Sequence, residues 1–110
     1  MSYEIKGDKD LIKQLMKSAD VGDIKKVVKM NGAEMHKSSQ RYAPVDTGFM
    51  KRSIQIEGED NGMTARVYPT AEYAPYVEYG TRYMTAQPFI RPSFEKQKDI
   101  FISDLKKLLK

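Results

Sequence analysis

The sequence predicts an α+β fold, a small antiparallel sheet built on a 53–68 hairpin and packed against two to three helices. Three observations carry that prediction. Apolar residues recur at helical spacing over 8–42 and again beyond Pro92. Two runs of alternating apolar and polar residues flank Asn61-Gly62. Prolines and glycines punctuate the joints between these segments. At 110 residues the chain is expected to form a single domain, 1–110.

Residues 2–6 fit a short strand or an ordered arm. Over 8–19, Leu11, Ile12, Leu15, Met16 and Ala19 share a helix face, and Asp8 and Asp10 suit its positive end. Asp20 is a natural cap for a second helix from about 21 to 42. Its expected core stripe is Ile24, Val28, Asn31, Met35, Ser38 and Tyr42, with Val27 beside it. Gly32-Ala33 in mid-helix fits a close approach of another backbone, or a glycine that is merely tolerated. Pro44 disfavours helical geometry at Ala43 and should end the helix there.

Asn61-Gly62 is the preferred pair for a two-residue type I′ turn. In that register Asp60 faces Met63, Gly58 faces Ala65, Glu57 faces Arg66 and Ile56 faces Val67. The apolar pair then shares one face and the opposite charges share the other, and a slip of one residue destroys both matches. Tyr73-Ala74 reads as a brief extension of the sheet, stopped by Pro75. Residues 75–79 fit one helical turn between Pro75 and Gly80, and 81–88 a loop. Phe89-Ile90-Arg91, between Pro88 and Pro92, reads as extended. A last helix is expected from Pro92 or Ser93, with Phe94, Phe101, Leu105 and Leu108 as its buried stripe and Ile102 and Leu109 flanking it.

Composition narrows the function. Apolar residues make up 40% and charged residues 31% of the chain, and the absence of cysteine excludes disulfides and thiolate metal sites. No apolar run approaches the roughly 20 residues of a membrane span. The opening MSYEIKGDKD has no apolar core of signal-peptide type, so assembly in a cytoplasm is expected. The net charge of +4 resides mainly in lysines on the helices, the pattern of solvated helix faces rather than of a nucleic-acid groove.

The sequence offers little for catalysis. His36 is the single histidine and lacks the companions that a zinc site or nucleophile relay needs. Asp46, in Val45-Asp46-Thr47-Gly48, reads as a turn residue bonding nearby amides. Glu78 lies among Tyr76, Val77 and Tyr79, so it is expected to be partly buried with a partner from Arg52, Arg91 or the amides near Gly80-Thr81. The tyrosines at 68, 73, 76, 79 and 83 suit subunit packing better than base stacking. No phosphate loop, cofactor fingerprint or metal set is present, so no cofactor is expected.

Three blocks stand out: APVDTGFMKRSI (43–54), YAPYVEYGT (73–81) and AQPFIRPS (86–93). Each mixes prolines, glycines and aromatics at a joint between regular elements. In this order they resemble the tail-component family of long-tailed bacteriophages, over about 8–110. The carrying residues are Pro44, Asp46, Thr47, Gly48, Phe49 and Arg52 in the first block. Tyr73, Tyr76, Glu78, Gly80 and Thr81 stand in the second, and Pro88, Phe89 and Pro92 in the third. Phe49-Met50 stands where the family more usually has one leucine, and Pro75 is a local variation.

The resemblance implies a non-enzymatic virion structural protein of a phage or prophage, acting at the head–tail joint or tail end. It implies a ring-type homo-oligomer in the virion, a monomer being possible when free, that docks to connector and tail-tube proteins. The loops at 43–52 and 80–88 are then the candidate docking surface. Two readings of another class compete with it. A small basic toxin-type endoribonuclease would use Arg66, Arg82, Arg91 and the tyrosines on RNA. A portal accessory would contact DNA and show salt-dependent binding.

Overall fold

The hairpin forms in the expected register and supplies two of three strands. β1 is Tyr3–Lys6, β2 is Ile54–Glu59 and β3 is Thr64–Pro69. The sheet order is β1-β3-β2, with both pairings antiparallel and β3 central. Ile56 pairs with Val67, Glu57 with Arg66 and Gly58 with Ala65. Asn61 (φ 56, ψ 34) and Gly62 (φ 88) take the left-handed conformation of a type I′ turn, and the Met63 N–H donates to Asp60 O at 3.1 Å. Asp60 also has positive φ, and its carboxylate accepts from the Thr64 hydroxyl at 2.7 Å. A computed structural model gives this architecture for residues 2–44 and 48–109.

Five helices complete the described residues: α1 Lys9–Ser18, α2 Val21–Tyr42, α3 Phe49–Ser53, α4 Ala74–Tyr79 and α5 Ile90–Lys106. Asp20 caps α2 by accepting the Gly22 N–H at 3.1 Å, and Ala43 turns extended (ψ 142) ahead of Pro44. A helix of that length spans about 33 Å and sets the long axis of a body 52 × 20 × 19 Å in extent. On α2, Ile24, Val28, Asn31, Met35 and Ser38 are buried as expected. Tyr42 is not, being 48% exposed. The expected stripe had a seven-residue repeat, which drifts by about 20° per heptad on a straight helix. The buried line therefore moves to Ser39 and then to Ala43.

α2 lies directly on the sheet at Gly32. A Cβ there would sit 2.6 Å from Ala65 Cβ and 3.2 Å from Ile56 Cδ1, so the glycine marks a close approach of helix to strand. α5 packs along α2 and against β1, with the Tyr3 and Phe94 rings 5.0 Å apart. Phe101 and Leu105 of α5 are buried, while Ile102 and Leu109 remain exposed at its flank. Leu15 of α1, Ile5, Val67, Phe89 and Ile90 join the same apolar cluster.

A polar seam runs through the α2–α5 contact. The Asn31 amide donates to Asp104 Oδ2 at 3.1 Å, and Gln97 donates to Asn31 Oδ1 and to Glu34 Oε2. The Ser39 and Ser93 hydroxyls meet at 2.6 Å. Partnered polar groups of this kind fix how far one helix slides along another, because a slip would leave each of them unsatisfied.

Three local expectations fail. The sheet ends at Pro69, and Tyr73 (φ −85, ψ 0) caps α4 instead of extending the sheet. The region 43–52, expected as a loop, contains the first four residues of α3. Residues 90 and 91 are helical, because α5 begins two to three residues earlier than expected. Its early start is explained by Glu78.

Candidate functional site

The three motif blocks converge on the end of the molecule where α2 finishes, and Glu78 holds that end together. α4 begins with Pro75 in its first turn and stops at Gly80 (φ 78). Between them Glu78 is 3% exposed. Its Oε1 accepts the N–H groups of Phe89 and Ile90 at 3.1 and 3.0 Å, and its Oε2 accepts that of Arg91 at 3.2 Å. The first amides of a helix have no carbonyl partner within it. At α5, Phe89, Ile90 and Arg91 present three such donors, and Pro92 has none to present. A carboxylate from a different element therefore satisfies this run of amides and sits at the positive end of the helix dipole.

Of the expected partners of Glu78, Arg91 takes part through its backbone N–H and not through its guanidinium. The Arg91 side chain pairs with Glu95 at 3.1 Å, and the amides engaged lie at 89–91 rather than near Gly80-Thr81. Tyr3 lies near this corner; burial pushes its hydroxyl pKa up, and the charges of Tyr79 and Glu78 add to the shift.

The loop after α4 is fixed by backbone bonds. Thr81 N–H donates to Met84 O at 2.8 Å, Met84 N–H donates back at 3.3 Å, and Gln87 N–H reaches Val77 O at 2.8 Å. Gly80 makes this fold-back possible. A Cβ there would stand 2.8 Å from Ala86 N and 3.0 Å from Met84 O. Residues 81–88 are nonetheless all solvent-exposed.

The first block adds α3. Gly48 (φ 73) precedes it, and Met50 and Ser53 bury its inner side. Thr70 ties α3 to the end of β3: its N–H and hydroxyl both donate to Ser53 O, at 2.8 and 2.9 Å. Phe49 stacks on Tyr73 with ring centroids 6.1 Å apart. Pro44 is half-buried and Arg52 is exposed. Asp46 and Thr47 lie outside the described residues.

The candidate residues thus divide in two. Glu78, Gly80, Phe89 and Pro92 shape the corner from within. Phe49, Tyr73, Tyr76, Thr81 and Pro88 lie on its surface. Tyr76 is 60% exposed, and two tyrosines outside the candidate set go further, Tyr79 at 63% and Tyr83 at 90%. The spacing 73, 76, 79 carried the signal for Tyr79, since steps of three follow one side of a helix. Tyr68 does not belong to this group. It sits on the outer sheet face, where its hydroxyl donates to Glu57 at 2.6 Å beside Arg66.

Chemically, the corner is a surface of aromatic rings, the tyrosines carrying polar tips, on segments held by internal hydrogen bonds. His36 lies elsewhere, its Nε2 donating to Ile54 O at 2.8 Å between α2 and β2.

The family model described as "Bacteriophage HK97-gp10, putative tail-component" matches residues 9–80. The match takes in the first block and nearly all of the second; the third block and α5 lie beyond it. Neither a curated protein nor a solved structure matches the chain. Because the match covers more than half of the 110 residues, the chain belongs to the HK97-gp10-like family of phage tail components.

Proposed function

We propose that the protein acts as a structural component at the head–tail joint or tail end of the virion, self-associating and docking to neighbouring connector and tail-tube proteins. The observation that carries this reading is the aromatic end: Tyr76, Tyr79 and Tyr83 are largely exposed on segments that internal bonds hold rigid. Exposed aromatics on a preorganised scaffold bury much area on association at little conformational cost. A ring requires a heterologous contact whose rotation closes, and one well-defined end provides half of such a contact. Assembly would take place in the host cytoplasm, before incorporation into the virion. Electron microscopy of particles made without this gene tests the role. Separate heads and tails are expected, and fully joined, infectious particles would overturn it.

A further inference from the structure

Lys37, Gln40 and Arg41 of α2 face Lys51 and Arg52 of α3 across an open cleft of about 510 Å³. Four of these five residues are cations, and none of the described lining residues is an acid. Each ion pair among the described residues lies elsewhere. Lys37 and Arg41 stand four apart on a helix, an arrangement of like charges that is mildly destabilising when nothing neutralises it. Gln40 is tied to Lys51 O at 3.4 Å and Arg41 to Ser38 Oγ at 3.3 Å, both weak bonds to uncharged acceptors. The cleft therefore concentrates positive charge with no described carboxylate to answer it.

We infer that this cleft receives an acidic segment of a second, different protein. This rests on the docking role proposed above and names the chemistry of the partner. Charge complementarity selects the occupant. An Arg–carboxylate contact is directional, and a site with two guanidinium and two ammonium groups in one cleft suits a few clustered Asp or Glu side chains. A duplex would instead need a track of cations along many phosphates. A second copy of this chain fits less well, because it carries the same net charge of +4 and two of its acids, Glu57 and Glu59, are already engaged by Arg66.

The test uses the full chain and a fluorescein-labelled peptide of alternating Glu and Ala, read by anisotropy at low and physiological salt. Oligothymidine is the competing probe. The Arg41→Glu/Lys51→Glu double variant should lose about tenfold or more in peptide affinity. Lys106→Glu/Lys107→Glu removes the same charge at the far end of α5 and should change affinity by less than about twofold. All four positions are solvent-facing or half-exposed, and a melting curve confirms that each variant folds. Equal losses in the two double variants would reduce the cleft to bulk charge and overturn the inference. So would tighter binding of oligothymidine than of peptide, or no peptide binding by the wild type. Light scattering on the same samples separates the two readings: a chain that never self-associates yet binds peptide through the cleft counts against self-association alone.

Discussion

Glu78 is the residue on which the motif corner turns. It accepts three amide donors in a place closed to water, so its removal orphans all three at once. Glu78→Ala is expected to cost roughly 2–4 kcal/mol, measured by denaturant unfolding. Glu78→Gln keeps a single acceptor oxygen and should fall between the two; an unchanged midpoint for the alanine variant would contradict the capping role. The sequence led to the expectation of a partly buried, structural carboxylate, since it sits among Tyr76, Val77 and Tyr79, and the burial is nearly complete. The sequence did not show the partner. Backbone amides look alike in any sequence, and those at 89–91 become donors only because a helix starts there. The helical state of 90 and 91 and the amide partners of Glu78 have one cause, a cap that starts α5 from eleven residues upstream of Phe89.

At the scale of elements, local chemistry made much of the fold legible. The hairpin register followed from Asn61-Gly62 and the side-chain alternation, and the ends of α2 from Asp20 and Pro44. Gly62→Val should cost roughly 1–3 kcal/mol, because a β-branched residue resists φ 88. Sterics do not decide it, since the nearest atom to an added Cβ is the flexible Lys25 chain at 3.4 Å. Gly32→Ala sets two effects against each other. Helix propensity gains about 1 kcal/mol, while an atom forced to 2.6 Å from Ala65 costs about 1–3 kcal/mol of overpacking. Net destabilisation is expected, because Ala65 belongs to the central strand and cannot swing aside. A rise in melting temperature would show that the α2–β3 approach is looser.

The outer face of the hairpin has its own pH signature. The Tyr68 hydroxyl and then Arg66 hold the Glu57 carboxyl below its usual pKa. Arg66 Nε also stands 3.0 Å from Glu59 Oε1, but the oxygen lies off the N–H direction, so that contact is an attraction of charges rather than a hydrogen bond. A depressed carboxylate contributes stability above its unfolded pKa and loses it as pH falls through the folded one. The contribution of this pair should therefore be complete at neutral pH and vanish only in acid, below the ordinary carboxylate range. An NMR titration of Glu57 should shift upward in Tyr68→Phe; an unmoved titration would show that the hydroxyl bond is immaterial.

For the whole molecule, the interior and the two surface features at the α2 C-terminal end serve different ends. Core and polar seam give one rigid body, and at one end that body carries exposed tyrosines beside a cluster of cations. The tyrosine spacing was visible in the sequence. The basic cleft was not, because Lys37 and Arg41 meet Lys51 and Arg52 only when α3 folds back on α2. Tyr76→Ala with Tyr79→Ala should leave monomer stability within about 0.5 kcal/mol, since both rings face solvent, while lowering incorporation into particles. Loss of melting temperature instead would make those rings part of the fold. The most direct measurement is a cryo-electron microscopy map of the assembled virion. The rings of Tyr76, Tyr79 and Tyr83 should lie buried against neighbouring subunits, and a map that leaves all three facing solvent would contradict the account.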